Sequence, residues 1–134
     1  MEKDIRWKQR FQNLEKAEKL LAEIVDFDEN SPKLEREGFI QRFEVTFELA
    51  WKTLKDFLDY LGNNIPTITP RSVVKEAFSA GVIEGGQVFI DMLESRNTMS
   101  HLYDEEKFNE IFAKIKNEYQ PVISKLCDYL REQL

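Results

Sequence analysis

Apolar residues recur at three- and four-residue steps through most of the chain, with charged residues between them. That is the period of a helix with one face turned to a core, and no segment sustains the alternation of a strand. The pattern predicts a first helix over roughly 3–27, carried by Trp7, Phe11, Leu14, Ala17, Leu21, Ile24 and Val25. Asn30-Ser31-Pro32 breaks it, with Ser31 as N-cap and Pro32 at the first helical position of the next element. The second helix, roughly 32–61, carries two adjacent apolar stripes. Phe39, Phe43, Ala50, Leu54, Phe57 and Leu61 form one; Ile40, Phe47, Trp51 and Leu58 form the other. So wide a face predicts a central position in the bundle, and also a subunit interface, because a small bundle does not easily cover two faces of one helix. Gly62 ends the helix in the usual C-terminal glycine position.

Beyond a polar loop, Thr69-Pro70 is a cap followed by a first-turn proline, and a short helix of roughly 70–80 stops at Gly81. A third long helix, roughly 86–100, runs through Val88, Phe89, Met92 and Leu93. Asp104 is the candidate N-cap of the last helix, marked by Phe108, Ile111, Phe112, Ile115, Tyr119, Val122, Leu126 and Leu130. Pro121 lies inside that pattern and removes one backbone bond, so a kink is expected there rather than two helices. Four long helices and one short one make the chain all-α.

Composition narrows the class. The 134 residues suffice for one domain with a real core, residues 1–134, and 42% hydrophobic with 33% charged content describes a charge-rich globular protein. The one cysteine, Cys127, falls in the apolar pattern of the last helix and reads as core filler. With a single His and a single Cys, a zinc site of the usual ligand types is not expected, and no cofactor is implied. The first helix is laced with Lys and Glu and no later stretch has 18 consecutive apolar residues, so no membrane association is expected and a cytoplasmic location is. A net charge of −6 without any basic run argues against non-specific nucleic-acid binding. Any RNA would be held by a small local site.

The chemistry concentrates in Arg96-Asn97-Thr98-Met99-Ser100-His101-Leu102-Tyr103, which contains the only histidine. Arginine suits phosphate charge and histidine proton transfer, although a lone histidine near a helix end is more often a cap or surface residue. Positions 96 and 101 lie about 140° apart around a regular helix, so they do not share a face, whereas Asn97 and His101 do. Arg96 and His101 converge only if the helix loosens near Met99–Leu102 or if a second subunit supplies the facing partner. Glu44, Glu48, Lys52 and Lys55 form a row on the second helix. They read either as exposed intrahelical pairs or, for Glu48 among Phe47, Leu49, Ala50 and Trp51, as a partly buried carboxylate orienting a cation such as Arg96. Asp104, Glu105 and Glu106 suit the start of a helix better than a metal.

Gln41-Arg42-Phe43-Glu44-Val45-Thr46-Phe47-Glu48-Leu49-Ala50-Trp51-Lys52-Thr53-Leu54-Lys55 resembles a signature of the nucleotidyltransferase substrate-binding protein family. Pro70-Arg71-Ser72-Val73-Val74-Lys75-Glu76-Ala77-Phe78 and Asp91-Met92-Leu93-Glu94-Ser95-Arg96-Asn97-Thr98-Met99-Ser100-His101 resemble its later blocks. The family belongs to the HEPN superfamily (higher eukaryotes and prokaryotes nucleotide-binding), whose hallmark is Arg, usually a polar residue, then His after four to six positions. Arg96, Asn97 and His101 fit it, and Tyr103 fits an extended form with tyrosine two residues after histidine.

The resemblance implies an antiparallel up-and-down four-helix bundle with an additional short helix, dimerising with its motifs face to face. It implies a minimal nucleotidyltransferase as partner, and a homodimer or a heterotetramer with that partner. It also implies a metal-independent ribonuclease toxin in which Arg96, His101 and Asn97 are catalytic, with Glu48, on the reading of its neighbours above, supporting Arg96. The partner would act as antitoxin, able to transfer AMP to Tyr103. The family's name keeps a second expectation open: a non-catalytic subunit that binds the substrate or nucleotide of a two-protein nucleotidyltransferase.

Overall fold

The computed structural model describes residues 1–98 and 104–134. Helix α1 spans Glu2–Ala22 and tightens into a 3-10 turn, Glu23–Asp26. Next come α2 (Lys33–Tyr60), the short α3 (Pro70–Ser79) and α4 (Gly86–Asn97). The last column is α5 (Glu105–Lys114), a π-helical segment (Ile115–Tyr119) and α6 (Gln120–Glu132). No strand occurs among the described residues.

Side-chain pairings give the directions. Arg10 meets Asp56 and Arg42 meets the Leu20 carbonyl, so α1 and α2 are antiparallel. Arg36 reaches Asn109, Phe43 stacks on Tyr119 and Phe57 packs edge-on to Tyr129, so the last column runs parallel to α2. Asp91 and Ser95 of α4 meet Tyr119, while Phe89 shares a groove wall with Val122, so α4 opposes that column. The result is an up-down-up-down bundle, with α3 on the connection between α2 and α4.

Both apolar stripes of α2 are covered within one protomer, Trp51 of the second only in part. Phe39, Phe43, Phe47, Ala50, Leu54, Phe57 and Leu58 are all buried, against α1 on one side and the last column and α4 on the other. Its central position accounts for the wide face, which gives no separate sign of a subunit interface. Leu61, expected in the first stripe, is 49% exposed because the helix ends at Tyr60 and Gly62 turns away with φ +88°. Val25 is likewise turned outward: of the pair expected inside, the 3-10 step buries only Ile24.

The capping expectations meet mixed outcomes. Thr69 and Ser72 form a reciprocal capping box, and Asp104 accepts from the backbone of Glu106 and Lys107. Ser31 is not the cap of α2. Its hydroxyl accepts from the Asp28 N–H and closes the preceding turn, while Pro32 holds the cap position. Pro121 produces a π-turn just before it rather than a simple kink. The Gln120 N–H reaches back five residues to the Ile115 carbonyl, and the wider turn accommodates a ring that would crowd the carbonyl four residues back. The extra residue shifts the inward face by one, so Ile123 is buried where the pattern suggested Val122.

Cys127 is fully buried in α6, and burial pushes its thiol up to about 12. Ellman's reagent at pH 8 is therefore expected to titrate Cys127 only as fast as the protein opens, and at once in denaturant. Because the folded thiol binds its proton more tightly than the unfolded one, stability is full below the ordinary thiol value of 9.0 and falls as pH rises toward 12. Urea midpoints at pH 7 and 10.5 check the sign, and Cys127→Ala should reduce the difference.

Candidate active site

The last turn of α4 presents Ser95, Arg96 and Asn97 in three directions. Arg96 faces α2, where its guanidinium pairs with one Glu48 oxygen and lies over the Phe47 ring, 5.5 Å from the centroid. The other Glu48 oxygen accepts from Trp51 Nε1 at 3.2 Å and lies 3.7 Å from Lys52 Nζ. Glu48 thus fulfils both of its sequence readings, as a member of the intrahelical row and as the carboxylate that orients Arg96. The side chains of Arg96 and Glu48 are 26% and 37% exposed, so the pair stabilises the fold by no more than about 1 kcal/mol. Its effect is geometric: one guanidinium edge and one face are fixed, and the cation sits at a helix C-terminus whose dipole favours it.

Asn97 is exposed, with its Oδ1 3.5 Å from an Arg96 nitrogen, beyond a good hydrogen bond. His101 and Tyr103 lie outside the described residues. Beyond them the chain is held at α5: Arg36, itself buried, donates to Asn109 at 2.6 Å and lies over the Phe108 ring, and Lys33 pairs with Glu105 at 3.2 Å. Both flanks of the motif are therefore tied to the same helix, α2.

On the opposite side of the α4 turn is a polar cluster that sequence reading missed. Tyr119 is buried, yet its hydroxyl donates to Asp91 Oδ2 at 2.6 Å and lies 2.7 Å from Ser95 Oγ. Burial, then the Asp91 hydrogen bond, raises the phenol well above its ordinary value, so it stays protonated. Its single proton goes to the carboxylate, which leaves Ser95 as the donor to the phenol oxygen. Lys114 lies 3.7 Å from the same Asp91 oxygen. Asp91, Ser95, Thr98, Lys107 and Lys114 line a cleft of about 180 Å³ between α4 and α5. The only sequence signal was the proline two residues after Tyr119.

Among the described residues, no group of three or more His, Cys, Asp or Glu could hold a metal ion, and no helix is long and apolar enough to cross a membrane. Asp104, Glu105 and Glu106 serve the start of α5, as their positions suggested.

A helical bundle with an arginine braced at the end of α4, just before the chain's only histidine, defines the HEPN class. The model of the family described as "nucleotidyltransferase substrate binding protein like" matches residues 9–132, and the chain belongs to that family. It is 30% identical over 99 residues to a probable ribonuclease HepT of Haemophilus influenzae (strain Rd), a match covering 72% of this chain and 67% of the relative. A crystal structure of a protein from Thermus thermophilus is similar throughout, with a TM-score of 0.74 and 28% identity. That likeness covers 90% of this chain and 97% of the other.

Proposed function

We propose that the protein is a HEPN-type toxin subunit, a metal-independent endoribonuclease acting in the cytoplasm and neutralised by a minimal nucleotidyltransferase antitoxin. The observation that carries this reading is Arg96, held against Glu48 and Phe47 five residues before the only histidine. His101 takes the proton of a ribose 2′-hydroxyl or gives one to the leaving 5′-oxygen, and Arg96 stabilises charge on the scissile phosphate. Asn97 orients the imidazole or the substrate. One imidazole does not easily serve both proton transfers, so a homodimer with facing motifs completes the site, alone or within a heterotetramer with the partner. The likeness to a probable ribonuclease supports the choice.

The test is cleavage of cellular RNA by purified protein in excess EDTA. Products ending in 2′,3′-cyclic phosphate, formed by a species of twice the chain mass in light scattering, support it. Loss of activity on chelation overturns the metal-free mechanism, and an active monomer overturns the composite site. The second reading, a non-catalytic subunit presenting a substrate or nucleotide to the transferase, is favoured by the family's description and by the net charge of −6. No cleavage of any RNA by wild-type protein would select it.

Tyr103 is the proposed point of regulation. Co-expression with a minimal nucleotidyltransferase partner should transfer AMP from ATP to the Tyr103 hydroxyl with release of pyrophosphate, placing negative charge beside Arg96 and His101 and repelling phosphate. Tyr103→Phe should escape the modification and keep its activity. Intact-mass spectra with no adduct, or with the adduct unchanged in the Phe variant, remove Tyr103 from the mechanism.

A further inference from the structure

The Tyr119 cluster sits directly behind the turn that carries Arg96 and Asn97. Lys114 and Tyr119 are five residues apart, about 140° around a regular α-helix, and would point to different neighbours. A π-turn closes over five residues, which brings Tyr119 above Lys114 and lets both reach Asp91 Oδ2, at 2.6 and 3.7 Å. Tyr119 then receives Ser95, the residue before Arg96, and Thr98 Oγ1 donates to the Ser95 carbonyl at 2.9 Å. The last two turns of α4 are pinned to the last column through Asp91 and Ser95, and Thr98 closes the helix end onto Ser95.

The ring of Tyr119 is held from the other side. Phe43 of α2 stacks on it at 5.3 Å with an interplanar angle of 23°, and Phe43 in turn packs against Phe47, whose face carries the Arg96 guanidinium. A continuous physical path therefore runs from Pro121 through the π-turn, Tyr119 and Ser95 to the turn bearing Arg96, and closes through Phe43 and Phe47. The hydroxyls of Tyr119 and Ser95 are buried while Asp91 and Lys114 are about a third exposed, and a network in which the buried hydroxyls are satisfied specifies one arrangement.

We propose that Tyr119 is a positioning residue. Through its hydroxyl, and through the π-turn that aims it, it fixes the last turn of α4 so that Arg96 reaches both Glu48 and a phosphate in one geometry. The activity arm of the test rests on the ribonuclease reading; the spectroscopic arm does not.

The variants are Tyr119→Phe, which keeps the ring and its stacking on Phe43, and Ser95→Ala, which leaves Tyr119 intact and removes the link to α4. Cys127→Ala, buried but outside the network, is the control for loss of stability alone. The Nε–H resonance of Arg96, assigned by its loss in Arg96→Lys, should move in Tyr119→Phe and Ser95→Ala in the direction it moves in Glu48→Gln. It should stay in place in Cys127→Ala. RNA cleavage by the first two should fall about tenfold or more in kcat with KM little changed, because misplacement costs the reacting geometry rather than ground-state binding.

An Arg96 resonance at its wild-type position in folded Tyr119→Phe and Ser95→Ala overturns the proposal, whatever happens to the melting temperature. If the wild-type protein cleaves no RNA, the resonance still decides the positioning role, and only the ribonuclease reading falls. If Tyr119→Phe fails to fold, the resonance in Ser95→Ala decides by itself.

Discussion

Alanine at His101 or Arg96 is expected to slow RNA cleavage by at least about a hundredfold without unfolding the bundle. For Arg96 the expectation follows from what the side chain leaves behind. Glu48 retains Trp51 Nε1 and Lys52, and at 37% exposure it is also hydrated, so the remaining carboxylate costs little. The loss should therefore appear in activity and hardly in melting. Arg96→Lys is the sharper probe, since an ammonium keeps the charge but neither lies flat on Phe47 nor donates in a fork. It should recover only part of the rate. For His101 the expectation rests on the imidazole being the chain's only side chain whose ordinary titration falls near neutrality. Rates within about threefold of wild type in either alanine variant, against the far larger loss expected of a proton-transfer or charge-stabilising group, would remove that residue from the chemistry.

The second large effect is on stability and lies far from the motif. Arg10 donates to Asp56 at 2.6 Å, with the Asp56 side chain only 1% exposed and that of Arg10 33% exposed. The other carboxylate oxygen is buried without a hydrogen bond, with Lys55 Nζ at 3.6 Å. Removing the two partners should therefore be unequal. Arg10→Ala strands a buried carboxylate and should cost about 3 kcal/mol, while Asp56→Ala leaves an arginine that can rehydrate and should cost about half of that. Urea titrations at pH 7 with an unchanged slope measure both. Equal losses would mean that Asp56 is better solvated than its burial indicates.

The helical pattern was sufficient to find every long element because each buries a continuous apolar face, one stripe wide or, in α2, two. Boundaries moved where a local device intervened, as at Ile24, where a 3-10 step changes which side chain turns inward. Glu48 illustrates a different limit. Its neighbours in sequence show the intrahelical row, whereas the pairing with Arg96 is made only where α4 crosses α2. Tyr119 was invisible as a polar residue because it occupies an inward position of an apolar stripe, and a tyrosine there reads as packing. Its partners Asp91 and Ser95 lie on another helix, and no local spacing links them to it. Pro121 signalled a disturbance, but its form as a wider turn depends on the long-range bonds that the wider turn allows.

That wider turn also has a meaning for chain length. A π-turn amounts to one residue inserted into an α-helix, with everything downstream facing as though the insertion were absent. Deleting Asn117 while replacing Pro121 by Ala would let Glu105–Glu132 close as one uninterrupted α-helix. Ile123, Leu126, Cys127 and Leu130 would keep their places in the core. Tyr119 would then stand four residues after Lys114, about 40° around the helix, and would keep Asp91 within reach. Relatives without this proline are accordingly expected to be one residue shorter between Ile115 and Gln120, a gap in the middle of a helix that records a turn gained rather than a fold disturbed.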